Sequence, residues 1–358
     1  MSTLITIFGG SGFLGRQVAR IMAQQGCRVR IAVRRPNEAL FVRTYGAVGQ
    51  VSPIFCNVRD DASVLAAMSE SDAVVNCVDV KLPAGNNTFD AVHDKAAGRI
   101  ARLSRQAGVP AFVHVSTVGA DPESDSHYAA AKGRGEIAVR EARPDAVILR
   151  PTVMFGMGDT FYNRLGTMAR NLPVMLVPGL GTKVQPVYVE DVARAVSAGL
   201  QGKVPAGVYE LGGPDVMTMR QVVDQVLAVT GHRRLVIGLP RWLAGIIGGA
   251  LDFGSTVTGK LFKNKILTRD QVRLQTRDNV ARDGNNAPPL PTEHIAPAAF
   301  AEMVDDKDAR LAVTGGFEPF GITPVASDSI LPEYLWPYRD SGQYAEIKAS
   351  AKNLRSDS

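Results

Sequence analysis

Residues 7–19 read IFGGSGFLGRQVA. Glycines stand three apart at Gly9, Gly12 and Gly15, directly after the apolar run LITIF and directly before a segment of helical period. In such a strand–turn–helix, Gly9 permits the tight turn and Gly12 lets backbone N–H groups approach a pyrophosphate. Gly15 lets the helix close on the sheet. The expectation is a dinucleotide site, with Ser11, Phe13, Leu14 and Arg16 on the same turn.

Outward from this turn, short apolar runs alternate with segments of helical period as far as residue 150. The strand candidates are LITIF, RVRIAV, VSPIF, DAVVNCV, AFVHVS and AVILRP. Helical segments fall at 15–26, 62–69, 87–107 and 126–142. Six strands in that order predict an α/β fold, a Rossmann-like doubly wound parallel sheet with right-handed crossovers, over residues 1–150. Beyond Pro151 the pattern loosens into Gly-rich short strands and helices, read as a smaller mixed C-terminal lobe over 151–340, partly interleaved with the first domain. Residues 284–293 read as a surface excursion and 341–358 as a flexible tail too poor in apolar residues to pack.

The second strand ends AVRRP, where an NAD-binding sheet would carry an acid for the ribose hydroxyls. Arg34 and Arg35 cannot accept those bonds but can pair with a 2′-phosphate, and Arg16 adds a further charge, so the expected cofactor is NADPH. Asn57 and Val58 end the third strand where an adenine ring would lie, although a loop Asn serves turns as readily. Cys77 and Val78 end the fourth strand and are small enough to let the cofactor pass. Pro151 and Val153, after the sixth, complete the candidate contacts.

With 358 residues, 45% hydrophobic and 21% charged, the chain is neither disordered nor membrane-spanning by composition. Its formal net charge of +5 permits an anionic partner, but no aromatic-basic stacking pattern points to nucleic acid. Cys27, Cys56 and Cys77 are isolated in apolar stretches, reading as buried thiols in a reducing compartment, with no metal-ligand spacing. MSTLITIFGG passes straight into a strand, which reads as a mature cytosolic start.

The second motif is HYAAAK, residues 127–132. Tyr128 and Lys132 lie one helical turn apart and share a face, the layout for a phenol whose proton affinity a nearby ammonium lowers. Taken with GGSGFLG, HVSTVGAD and LRPTVMFG in this order, the chain resembles the extended or atypical branch of the short-chain dehydrogenase/reductase superfamily. That resemblance implies Tyr128 as acid or base and Lys132 as its modulator and ribose ligand. It also implies Ser116, or alternatively Thr117, as the group steadying a substrate oxygen.

Four stretches, ILRPTVMFGMGDTFYNRL, PVYVEDVARAV, LTRDQVRLQTRDNV and LPEYLWPYR, carry a narrower resemblance to the NADPH-binding accessory subunits of respiratory complex I, the NADH:ubiquinone oxidoreductase, of alphaproteobacterial or mitochondrial type. It implies a tightly held structural nucleotide without turnover and other peripheral-arm subunits as partners. The implied location is peripheral, on the cytoplasmic face of the bacterial inner membrane or the matrix side in mitochondria. The link from Ser116 to Tyr128 is shorter than in most active extended members, which agrees with a clamp rather than a catalyst. The alternative is an active NADP-dependent reductase, epimerase or dehydratase.

Residues 241–265, RWLAGIIGGALDFGSTVTGKLFKNK, place apolar residues such as Leu243, Ile247 and Leu251 near one face of a possible helix, with Lys260, Lys263 and Lys265 at its end. Five glycines make it a poor span. It reads either as a membrane-surface or partner contact or as a helix packed on the small lobe; the resemblance favours contact.

Overall fold

The computed structural model describes residues 3–239, 277–282, 313–340 and 342–344. Residues 241–265, 284–293 and most of 341–358, for which a contact segment, an excursion and a tail are expected, lie outside the described residues. The chain divides into two units: Met1–Thr152, Val189–Gly212 and Ala281–Pro324 form the first, and Val153–Tyr188, Gly213–Val280 and Val325–Ser358 the second.

The first unit is built on β1 (Leu4–Phe8), β2 (Arg28–Val33), β3 (Val51–Phe55), β4 (Ala73–Asn76), β5 (Ala111–Val115) and β6 (Val147–Pro151). Its helices in this stretch are α1 (Phe13–Gln24), α2 (Asp61–Met68), α3 (Lys95–Gln106) and α4 (His127–Ala142). All six strands run parallel, in the order 3-2-1-4-5-6. Every residue of β1, β4 and β6 is buried, as expected of strands covered by helices on both faces. Asp60 caps α2 by accepting from the Ser63 N–H, and Ser126 caps α4 by accepting from the Ala129 N–H.

The sheet has a seventh strand where six are expected. After an excursion through the second unit the chain returns with a helix at Val189–Leu200 and a strand at Gly207–Leu211, which pairs in parallel with β6. By sequence this stretch reads as one of the short strands of the smaller lobe, whereas it joins the first sheet beside β6. The Glu210 carboxylate is consumed inside the fold: Arg150 Nη1 lies 3.4 Å from it and Arg150 Nη2 lies 2.6 Å from Glu136. All three side chains are at most 3% exposed, so each charge depends on its partners.

The 87–107 segment also departs from a plain helix. Residues Asp90–Asp94 wind as a π-helical turn before α3 begins at Lys95, a local widening common at functional sites. Gly135 of α4 lets that turn approach, because a Cβ there would lie 1.9 Å from the His93 carbonyl oxygen.

In the second unit, two-residue strands at Met154–Phe155 and Val187–Tyr188 pair in parallel, as do the strands Val174–Pro178 and Leu235–Leu239. Helices at Phe161–Asn171, Met219–Thr230 and Ser327–Leu335 enclose a core that includes Phe155, Tyr162, Val223 and Leu331. The motifs FGMGDTFYNRL and LPEYLWPYR meet here. Tyr334 Oη donates to the buried Asp159 carboxylate at 2.6 Å, and Tyr338 Oη donates to Asn163 Oδ1 at 2.9 Å. The ring of Tyr338 also covers Gly166, where a Cβ would lie 2.6 Å from it.

Candidate nucleotide site

The buried strand β1 delivers the glycine turn to the carboxyl end of the parallel sheet, where ligands of such sheets bind. Gly9 has φ +75°, and a Cβ on it would lie 2.7 Å from the Cys77 carbonyl oxygen. A Cβ on Gly15 would lie 2.5 Å from the Gly9 carbonyl oxygen. Both positions therefore require glycine, one for backbone hand and the approach of β4, the other for closure of α1.

Gly12 N-caps α1 without a capping side chain, and the first turn carries no acid. The first helical bond is Arg16 N–H to Gly12 O at 3.0 Å, so the N–H groups of residues 13–15 have no helical acceptor. A helix start with open donors and no negative charge of its own fits a pyrophosphate. Within the same turn Ser11 and Phe13 are half-buried, whereas Leu14 is buried in the core and can offer a ligand only its backbone.

At the end of β2, Arg34 and Arg35 are both exposed, but they differ. Arg35 Nη1 lies 2.9 Å from Glu38 Oε1, while Arg34 has no acidic partner among the described residues. Arg16 donates to Gly12 O at 3.3 Å and sits 5.9 Å from the Phe41 ring centroid. Asn57 Oδ1 accepts from the Arg59 N–H at 3.2 Å, the turn role open to any loop Asn. The Val58 carbonyl accepts from Arg99 at 3.2 Å while its side chain packs on the core. Val78 donates its N–H to Asn76 Oδ1 at 3.1 Å, and Cys77 has its thiol pushed up to about 12 by burial, against the opposing charge of Lys132. Pro151 ends β6 with its carbonyl bonded to the Val118 N–H at 3.1 Å. Val153 is the first residue of the second unit, its N–H donated to Asn279 Oδ1 at 2.7 Å.

The Tyr–Lys pair lies on the first two turns of α4, as the i, i+4 spacing predicts. Lys132 Nζ is buried, 3.4 Å from the Val115 carbonyl oxygen and 5.8 Å from the Tyr128 ring centroid. The Ser116 hydroxyl is buried at the end of β5 and has no hydrogen-bond partner among the described residues, so a polar ligand atom there would satisfy it. Thr117 Oγ1 instead reaches the Val118 carbonyl at 3.4 Å.

A carboxylate the motifs do not announce stands opposite this pair. Asp79, just past β4, accepts from Tyr128 Oη at 3.0 Å and lies 3.5 Å from Lys132 Nζ and 3.6 Å from His93 Nε2. Burial pushes its carboxyl up, but Lys132, His93, Lys81 and the Tyr128 hydroxyl outweigh that and hold it below the usual range. Tyr128 moves the other way: burial and then the facing Asp79 carboxylate raise it well above an ordinary tyrosine. His93 and Phe89 wall the phenol, with ring centroids 5.1 and 5.6 Å from that of Tyr128.

Two histidines complete the surroundings. His93 Nε2 lies 3.0 Å from the Val80 carbonyl oxygen, and burial, with Lys132 next, pushes its pKa down to about 4. His114 on β5 pairs its Nδ1 with Asn76 Nδ2 at 3.1 Å and is pushed down to about 3 by burial, then by Lys132 and His93. The other ring nitrogens, His93 Nδ1 and His114 Nε2, are buried and have no partner among the described residues. Sequence reasoning missed Asp79, His93 and His114; the one available signal was an acid directly after the apolar run DAVVNCV.

Elsewhere, Cys56 is buried and Cys27 and Cys77 are half-buried, all as free thiols. Among the described residues no cluster could hold a metal ion, and no helix is long and apolar enough to cross a membrane.

Comparison with known proteins places this geometry. The model of the NAD dependent epimerase/dehydratase family matches residues 5–212. The mitochondrial NADH-ubiquinone oxidoreductase 40 kDa subunit of Neurospora crassa is 28% identical over 353 residues, 98% of this chain and 84% of that protein. NADH dehydrogenase [ubiquinone] 1 alpha subcomplex subunit 9 of Arabidopsis thaliana is 31% identical over 284 residues, 78% of this chain and 71% of the relative. A ceramide reductase of Caulobacter vibrioides is 30% identical over 259 residues, 71% of this chain and 79% of that enzyme. Among solved structures, that of gox2253 matches 96% of this chain and 99% of its own with a TM-score of 0.65 at 17% identity, a likeness of fold. The chain belongs to the NAD dependent epimerase/dehydratase family, on the extended short-chain dehydrogenase/reductase fold.

Proposed function

We propose that this chain is an accessory subunit of respiratory complex I, the NADH:ubiquinone oxidoreductase, holding NADPH tightly for assembly and stability rather than turning it over. The observation that carries this reading is the extent of likeness to the fungal 40 kDa subunit. It runs over 353 residues and so takes in the second unit, not the nucleotide-binding fold alone. A ligand that binds only the native unit stabilises it by mass action, which is the use such a subunit has for a nucleotide.

NADPH rather than NADH is supported by Arg34, exposed at the end of β2 with no acidic partner among the described residues. In this reading the glycine turn and the start of α1 hold the pyrophosphate, Arg34 the 2′-phosphate, and Lys132 with Tyr128 the nicotinamide ribose. Arg35, Asn57, Val58, Cys77, Val78, Pro151 and Val153 are proposed as lesser contacts. Partners are other peripheral-arm subunits, with peripheral contact at the cytoplasmic or matrix side of the membrane through residues 241–265.

A second reading, an NADP-dependent reductase, is favoured by the 30% identity to a ceramide reductase and by the intact Tyr128–Lys132 pair. The test is purification followed by prolonged washing and exposure to carbonyl substrates, long-chain ketones included. Retained NADPH that resists oxidation supports the subunit; substrate-dependent loss of nicotinamide absorbance supports the reductase.

A further inference from the structure

The Tyr128–Lys132 pair is complete, yet its surroundings oppose proton transfer, and one residue accounts for that. Asp79 offers a single carboxylate to both members: Oδ1 lies 3.0 Å from Tyr128 Oη and 3.5 Å from Lys132 Nζ. An ammonium beside a phenol favours the phenolate; a carboxylate beside the same phenol disfavours it, and here the carboxylate is the hydrogen-bonded neighbour. We infer that Asp79 is a positioning residue that fixes Tyr128 as a hydrogen-bond donor and occupies Lys132, which removes the pair from acid–base chemistry and leaves it as a binding clamp. This deepens the reading of a held, unreacting nucleotide and rests on it.

The groups around Asp79 support the assignment. From its own loop comes Lys81, from the π-helical turn His93, and from α4 Tyr128 and Lys132. His93 is neutral near pH 7, because burial depresses its pKa to about 4, so it adds no positive charge that would free the phenol. Among the described residues Lys132 is the one buried cation against Asp79, and it is shared. Just past β4 the Val78 N–H donates to Asn76 Oδ1 at 3.1 Å, a tie that helps fix the path on which Asp79 leaves the sheet.

The test uses the full chain carrying tyrosine labelled with carbon-13 at Cζ, with Tyr128→Phe to assign the resonance. In the wild type, Tyr128 is expected to ionise at higher pH than N-acetyltyrosinamide in the same buffer. In Asp79→Asn the Tyr128 midpoint should fall by at least one pH unit, a tenfold gain in acidity; Asp79→Glu should retain the wild-type midpoint. A variant that merely loosened the fold would move several tyrosines together. The inference is overturned if Tyr128 of the wild type ionises with or before N-acetyltyrosinamide, a result that needs no Asp79 variant, or if Asp79→Asn leaves its midpoint unchanged. Complex I association is measured separately, so a chain found in the complex with an easily ionised Tyr128 sinks this inference alone.

Discussion

The Tyr128 hydroxyl donates to the Asp79 carboxylate at 3.0 Å, so the residue that the motif marks as an acid or base is held as a donor. With the phenol kept protonated, its remaining use is to fix a ligand beside Lys132. Tyr128→Phe is accordingly expected to weaken NADPH binding about five- to tenfold, the loss of one hydrogen bond worth about 1 kcal/mol. Fluorescence titration of the folded variant checks this, and unchanged affinity would place the nucleotide elsewhere.

Arg34 and Arg35 are adjacent but not equivalent, because Arg35 is engaged by Glu38 at 2.9 Å. Arg34→Ala should cost about tenfold or more in NADPH affinity, as a charge-assisted hydrogen bond is worth about 1.5–3 kcal/mol. NADH affinity should not change. Arg35→Ala should have the smaller effect on the same pair of titrations.

His93 and His114 are each 2% exposed, with pKa values near 4 and 3 against an ordinary 6.5. The unfolded chain therefore binds more protons than the native one below about pH 6.5, so stability falls as pH falls from there and levels only near pH 3. Each tenfold difference in proton affinity between the two states is worth about 1.4 kcal/mol, and together the two rings contribute on the order of a few kcal/mol to neutral stability. Asp79 acts in the same direction: its depressed carboxyl adds stability that is lost as pH falls through the native value. Urea unfolding at pH 7 and pH 5 should show the midpoint drop, and His93→Gln with His114→Gln should flatten it.

Glu136, Arg150 and Glu210 form a buried triad across α4, β6 and the seventh strand. Arg150→Met leaves two carboxylates without their cation and should destabilise the first unit by about 3–5 kcal/mol. Chemical denaturation checks the loss, and Glu136→Gln with Arg150→Met should recover part of it.

The legible parts of the molecule are those where one residue type has one physical use. Gly9 and Gly15 declare their turn because any side chain would strike a backbone oxygen, and Tyr128 and Lys132 declare their helix face by spacing alone. The seventh strand reads as one of the short strands beyond Pro151, but its place beside β6, with Arg150 across from Glu210, rests on a long-range pairing that no local pattern announces. Asp79 and His93 were hidden for a different reason. One lies in the irregular segment just past β4 and the other is turned inward by a π-helical step, so neither obeys a strand or helix period. Asp159 and Tyr334, 175 residues apart, meet only through the fold of the second unit.

Membership of complex I is read out by native-gel separation of solubilised membranes followed by mass spectrometry of the band with NADH:ubiquinone activity. This chain is expected in that band, in proportion to the core subunits. Its absence from the band, with the chain recovered wholly in other fractions, would rule out that membership.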